Sequence, residues 1–528
     1  MYLPGGSKKF ARLLMWKTPW KMPFLRKLLI CITLVVAINA TNRVMLFLAP
    51  QTYRTAMRSA VRVMGVDSGD TINTICPAQR GETAPLASYV RNKVIVIVTH
   101  ELTLTGAPFV CAELAQTLAE AGAEVKLLVG PRGGVMSAEV LSERARNMIP
   151  LGGGGPFFHI DSYAADSASV ATSITHALAA DLVIVSSVVP EHGAWLRNFR
   201  TRVGPNYPGL VWWVHEGAAV MSSLERGVLS AATRALLTPG LLNGLVFPSK
   251  TAGKWWDTIL DREKRSFFGF GTSGGVSGLS PASACVQRAV PWGIPHWRLR
   301  AIDAAAADGE AILALRAANH FAPTDFVFLT LATFQSIKGY AGIFSAFKAA
   351  RAACGGKRRL KLFAVGTQYG YFPQAAEWAR NDVDIIIAQP TGDVAALLAM
   401  ADAYVSNTQG GGESWGLSTL AALTAGKPVL ASRAGASPEQ MEHNVTALLH
   451  AVPDTTFDVG EFERDELASH MCAVAGDKAL ASRLASSARA HARNAFGARH
   501  NDVALAELMH GLGMTDFTST AFSNIFTR

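Results

Sequence analysis

From Asn92 to about residue 450 the chain repeats one pattern: a short uninterrupted apolar run, a turn rich in glycine or polar residues, and a stretch with helical spacing. Lys93–Thr99 (KVIVIVT) sets the type. A strand with one wet face alternates apolar and polar residues, so a continuous run this short predicts a strand buried on both faces of a parallel sheet. The turn LTLTGAP and a helix over Phe109–Ala121 follow it. Strands are predicted in the same way at Val125–Val129, Asp181–Ser186, Leu210–Val214 and Leu245–Phe247. The Gly- and Ser-rich stretch between Ser266 and Ala284 reads as a loop insertion and Val290–Pro295 (VPWGIP) as a hinge. A second series then begins, with strands at Asp325–Leu331, Leu360–Val365, Asp384–Ala388, Ala403–Ser406 and Val429–Ala431. Its helices fall at Tyr340–Ala353, Asp393–Met400 and Ser414–Ala425, and Ala-rich helices over 463–513 close the chain. Strand and helix alternating twice over predicts an α/β protein of two doubly wound, Rossmann-like domains, 92–290 and 291–500, with a helix and tail over 501–528.

The first 91 residues do not share this pattern. Residues 1–27 interleave Lys8, Lys9, Arg12, Lys17, Lys21, Arg26 and Lys27 with Trp16, Trp20 and Phe24, the composition of a membrane interface. Leu28–Asn42 is uncharged but shorter than the roughly 20 residues that span a bilayer. Residues 1–50 therefore read as a membrane anchor with its basic end in the cytosol, as an interfacial helix, or as a buried helix. Residues 51–91 read as a stem or linker.

Charge sharpens this division. The net charge is +9, yet eleven Lys or Arg precede the first acid, Asp67, and the rest of the chain holds 38 basic and 40 acidic residues. No basic domain is left for a nucleic acid. With 49% hydrophobic and 17% charged residues the chain can bury large cores, which excludes a disordered protein. The six cysteines show neither CxxC nor metal-ligand spacing, read mainly as buried thiols and do not settle the redox compartment.

Candidate chemistry concentrates in Thr408–Leu449, TQGGGESWGLSTLAALTAGKPVLASRAGASPEQMEHNVTALL. Glycines let backbone N–H groups approach a ligand, and Glu413 stands at the mouth of a predicted helix whose N-terminus carries unpaired donors. Together they outline a phosphate site. Ligands of open α/β sheets bind beyond the carboxyl ends of the strands. That rule singles out His100, Glu101 and Gly106 after the first strand, His215 and Glu216 at the end of VWWVHEG, and Thr333 and Lys338 in ATFQSIKG. Lys338 can neutralise a diphosphate or simply be a solvated surface lysine. His215 can hold a ligand or be a satisfied polar cap, and no HExxH metal motif follows it.

The words GESWG, AGKPVLAS, GASPE and HNVTALL resemble the donor-sugar signature of retaining GT-B glycosyltransferases of group 1, the family 4-like enzymes that include sucrose-synthase-like and bacterial polysaccharide transferases. The resemblance implies GT-B architecture, with two Rossmann-like domains facing a cleft. It implies transfer of a hexose-type sugar, with retention, from a UDP- or GDP-linked donor to a glycan, lipid or protein acceptor. No separate cofactor and no catalytic metal are expected. Glu413 would orient the sugar, Lys338 would bind the donor phosphates, and His215 would line the sugar pocket. Donor contacts would come from Gly106, Thr333, Gly411, Gly412, Ser414, Trp415, Gly416, Leu417 and Glu439. The location implied is membrane-associated, in the cytosol or the Golgi lumen.

Two positions depart from the family. The second motif glutamate, which binds the ribose hydroxyls, is Ala421 here, and a frequent arginine is Thr333. Losing a charge-assisted hydrogen bond costs on the order of 1.5–3 kcal/mol. A degenerate relative that binds a glycan or a partner without catalysis is the alternative. An oxidoreductase would need a G-x-G-x-x-G turn after Thr99, which is absent.

Overall fold

The computed structural model describes residues 84–514, apart from 104, 131–137, 149–157, 164–166, 205, 206, 208, 218–240, 268–285, 357, 369, 381, 391 and 453–463. The expected anchor at 1–50, most of the expected stem and the Gly/Ser-rich insertion lie outside the described residues.

Two parallel sheets organise the rest. The first comprises β1 (Val94–Thr99), β2 (Glu124–Val129), β3 (His159–Ser162), β4 (Leu182–Ser186), β5 (Leu210–Trp213), β6 (Gly244–Phe247) and β7 (Val286–Ala289), in the order β3-β2-β1-β4-β5-β6-β7. The second comprises β8 (Phe326–Leu331), β9 (Leu360–Val365), β10 (Ile385–Ala388), β11 (Ala403–Ser406), β12 (Val429–Ser432) and β13 (Leu448–His450), in the order β10-β9-β8-β11-β12-β13. The continuous apolar runs are explained by burial on both faces. Ile95 and Ile97 of β1 enter one core cluster, while Val96 and Val98 enter another on the opposite face.

Three strands escape the sequence reading. β3 (HIDS) and β7 (VQRA) are sheet edges and carry polar residues, and β13 is three residues long. Helix starts also differ from expectation. The helix expected at Phe109 begins at Gly106, and the one expected at Ser414 begins at Leu417 with Gly416 as its N-cap. Ser414 and Trp415 stay outside because their side chains bond across the cleft, to the carbonyls of His215 and Trp292.

Residues 84–91 of the expected stem are described. Leu86–Val90 is a helix with Leu86, Tyr89 and Val90 buried, and it packs against the C-terminal helix Ala498–Gly511. That last helix returns to the first sheet, where Glu507 pairs with Arg288 of β7. It is held there by buried Leu505, Leu508 and Met509. Between the sheets, Val290–Pro295 is pinned from both sides. The Gly293 N–H donates to Asn501 Oδ1 (2.7 Å) and the Ile294 N–H to the Phe496 carbonyl (2.8 Å). A Cβ at Gly293 would meet that same carbonyl at 2.7 Å.

Not all cysteines are thiols. Cys354 and Cys472 form a disulfide, with Cα atoms 5.8 Å apart, joining the helices Tyr340–Cys354 and Arg464–Gly476. A separation of 118 residues gives no spacing signal, so the expectation of buried thiols fails for this pair. Cys111 is free and buried, and burial pushes its thiol up to about 11.

Candidate active site

In the second sheet the strand order reverses between β8 and β11, which opens a crevice between the loops that follow them. After β8 the chain passes Thr333 and a 3₁₀ turn, Ser336–Lys338, then reverses at Gly339 with φ +65°. Only glycine suits that place, since a Cβ there would meet the Asn407 carbonyl at 2.2 Å. After β11 the glycine loop folds back on this turn: the Gln409 N–H donates to the Ile337 carbonyl (2.8 Å). The two loops bring Lys338 and Glu413 together. Lys338 Nζ donates to Glu413 Oε2 at 3.0 Å and to the Gly412 carbonyl at 3.3 Å, while Thr408 Oγ1 adds a longer contact of 3.4 Å to the same carboxylate.

This pair lies on the wall of a cavity of about 240 Å³ between the two sheets. The first half contributes Thr105 and, from the helix that follows it, Gly106, Phe109 and Glu113; the connecting segment contributes Gly293, Ile294 and Arg298, and the second half contributes the rest. Thr333, Trp415, Gly416, Leu417 and Ala421 line it beside Lys338 and Glu413. The helix Gly106–Glu120 opens without a side-chain cap, and nothing lies within 4 Å of a Cβ placed at Gly106, so its first turn has room for a ligand. Tyr404 lines the cavity too, its hydroxyl bonded to Ser418 Oγ (2.9 Å), and burial pushes its pKa up to about 12.

The remaining expected residues are placed differently. His215 does not line the cavity. Its ring stacks on Trp213, its Nε2 is buried with no hydrogen-bond partner, and its carbonyl accepts from Ser414 Oγ at 2.5 Å. Burial, with a smaller contribution from His100, pushes its pKa down to about 3, so the ring is neutral at ordinary pH. His100, Ser186 and Ser187 crest the neighbouring strands and likewise hold buried polar atoms without partners. Glu216 is occupied in holding the Val188 N–H (2.8 Å). Gly412 serves close packing, since a Cβ there would meet Ile337 at 2.4 Å, and the Gly411 carbonyl leaves room only for glycine at position 217, where a Cβ would meet it at 2.2 Å.

Glu439 stands apart from the other expected donor contacts. It is not on the cavity wall, and its carboxylate accepts the N–H groups of Lys250 (3.0 Å) and Thr251 (2.7 Å). It thus caps the helix Lys250–Phe267 of the other half, satisfying donors that a helix start leaves unpaired.

Sequence reasoning missed two charged residues on the cavity wall, Glu113 and Arg298. Glu113, only 2% exposed, accepts from Arg298 Nε (2.9 Å) and Nη2 (2.7 Å) on one oxygen and from Trp292 Nε1 (2.7 Å) on the other. No local signal marks contacts between residues 179 and 185 positions apart. Among the described residues, no three His, Cys, Asp or Glu side chains are grouped as a metal site requires.

Comparison with known proteins accords with this geometry. The glycosyl-transferase family 4 profile matches residues 91–267, and the glycosyl transferases group 1 profile matches residues 312–458. No curated protein matches in sequence. Among solved structures, HepE from Anabaena in complex with UDP and glucose superposes with a TM-score of 0.57 at 16% identity, covering 80% of this chain and 99% of that one. Sucrose-phosphate synthase from Thermosynechococcus elongatus gives 0.55 at 15% identity, covering 80% and 98%. A glycosyltransferase from Rickettsia africae gives 0.56 at 14%, covering 80% and 99%. At these identities the likeness speaks for the fold, which is GT-B. With a family 4 domain on one side of the cleft and a group 1 domain on the other, the chain belongs to the GT-B glycosyltransferases.

Proposed function

We propose that this glycosyltransferase moves a hexose-type sugar from a nucleotide-sugar donor, UDP- or GDP-linked, to a hydroxyl-bearing acceptor with retention at the sugar carbon. The observation that carries this reading is the Lys338–Glu413 pair at the β8/β11 crevice, facing the open helix start at Gly106 across one cavity. On this reading the pair parts when the donor enters. Lys338 then turns to the diphosphate and Glu413 to the sugar hydroxyls. As the glycosidic bond breaks, negative charge grows on the leaving diphosphate, and an ammonium and helix N–H groups already in position stabilise it without reorganising. That HepE has been solved with UDP-glucose supports a UDP-linked hexose.

A glycan, lipid or protein acceptor would enter from the first half. Membrane association through residues 1–50 belongs to the same proposal. Exposed Asn444 in the sequon NVT and the Cys354–Cys472 disulfide favour the version in which the transferase half lies on the oxidising, luminal side. The test is thermal unfolding of the full-length protein with UDP, GDP, ADP and their sugars. A ligand at a hundred times its dissociation constant stabilises the native state by about 2.7 kcal/mol. A shift with one nucleotide and its sugar is expected. No shift with any of them would remove the proposal.

A further inference from the structure

The Lys338–Glu413 pair is held from behind by buried polar side chains. Ser432, at the end of β12, donates from Oγ to the Thr408 carbonyl (2.6 Å), and Thr408 in turn contacts Glu413. On the Lys338 side the support runs further. Asn407, the residue after β11, donates from Nδ2 to the Gly339 carbonyl (3.0 Å), and its Oδ1 faces Nε2 of His450 at 2.7 Å. His450 ends the edge strand β13, so this bond spans the width of β12 to reach the crevice.

The geometry fixes one tautomer. An amide that gives its N–H to Gly339 turns its oxygen to the ring, so His450 carries its proton on Nε2 and donates. Nδ1 is then a bare acceptor, and among the described residues it is buried without a partner. A second proton there would be a charge with nothing to accept it, and burial, with a smaller contribution from His470, holds the pKa down to about 3. Asn407 and His450 are each 1% exposed, so loss of the ring N–H leaves Asn407 Oδ1 buried and unpaired.

What the bond supports is the turn that carries Lys338. A Cβ at Gly339 would meet the Asn407 carbonyl at 2.2 Å and Nδ2 at 2.7 Å, so the turn rests on both the backbone and the side chain of Asn407. Asn407 lines the cavity and His450 does not. Lys338 has to leave Glu413 when an anion arrives, and an ammonium stabilises developing charge best from a backbone that does not move. Resting on the nucleotide-sugar reading above, we infer that His450 is a positioning residue for Lys338: through Asn407 it locks the Gly339 turn, so that the ammonium meets the donor diphosphate from a fixed place.

The experiment is calorimetry of the full-length protein with UDP and GDP. His450→Gln puts an amide N–H where the Nε2–H was and should bind nucleotide within about twofold of wild type, whereas His450→Asn, too short to reach Asn407, and His450→Leu should each lose about tenfold. The decisive comparison repeats these substitutions in a Lys338→Ala background, where the loss should shrink to less than about twofold because the group being positioned is gone. Thermal unfolding identifies the variants that are folded at the titration temperature. His450→Gln keeps the Asn407 bond and tests the proposal even where the other two do not fold. Wild-type affinity in the Asn and Leu variants, an undiminished loss in the Lys338→Ala background, or an equal loss in His450→Gln would each overturn the positioning role while leaving the donor reading standing. Failure of the wild type to bind either nucleotide would overturn both.

Discussion

Lys338 Nζ and Glu413 Oε2 lie 3.0 Å apart on loops 75 residues apart in sequence, and each side chain keeps only 18% of its surface in water. Each neutralises the other until a ligand intervenes, so removing one has different consequences from removing the other. Lys338→Ala should weaken nucleoside diphosphate binding and lower turnover together. Glu413→Ala frees the ammonium and should bind the diphosphate at least as tightly as wild type, while turnover falls on the order of a hundredfold. Calorimetry with UDP or GDP beside a transfer assay separates the two. Wild-type turnover in both variants would show that the pair is not the donor site.

Ala421→Glu should tighten nucleotide binding. The side chain lines the cavity at 3% exposure, and a carboxylate there adds an acceptor to the cavity wall. A gain of about tenfold corresponds to one charge-assisted hydrogen bond. Titration calorimetry giving equal or weaker affinity would mean that the pocket has no place for the added group.

Glu439→Ala should lower stability by about 1–2 kcal/mol, as loss of a helix cap does, because two N–H groups of the helix Lys250–Phe267 lose their acceptor. Affinity for the donor nucleotide should change little. Denaturant unfolding and nucleotide titration on the same sample check both halves, and a large loss of affinity would return Glu439 to the donor site.

Acid should destabilise the fold below about pH 6.5. Burial holds His215 and His450 down to about 3, from an ordinary value of 6.5, with neighbouring His100 and His470 adding to the effect. Between those values the unfolded chain binds protons that the folded chain refuses, so stability rises with pH through the window and falls on acidification. Each group contributes a slope of up to about 1.4 kcal/mol per pH unit there. His450→Gln should flatten that limb of a stability-against-pH curve. An unchanged slope would show that His450 titrates normally.

Deleting residues 1–50 should abolish membrane attachment and leave folding and nucleotide binding intact, because the basic, aromatic and apolar signals all precede the first described strand. Fractionation in high salt, with glycosidase treatment of the full-length protein, reads attachment and the side of the membrane together. A shortened chain that still pellets with membranes would refute the anchor.

The sequence by itself determined ten of the thirteen strands and the loops that carry Lys338 and Glu413. A strand buried on both faces must be apolar throughout, and a loop pressed against a neighbouring carbonyl must be glycine, so β1, β8 and the turn at Gly339 are written locally. For the same reason β3, β7 and β13 were invisible, since edge position and brevity remove the apolar run. What only the tertiary structure decided was how side chains from distant segments share their charges. Glu439 looked like a donor ligand and became a cap for a helix 189 residues earlier. Glu113, Trp292 and Arg298 carried no motif and became a buried network on the cavity wall. Periodicity reports whether a position faces water or core. It carries no information about which buried carboxylate meets which cation, because that depends on how two independently formed sheets pack against each other.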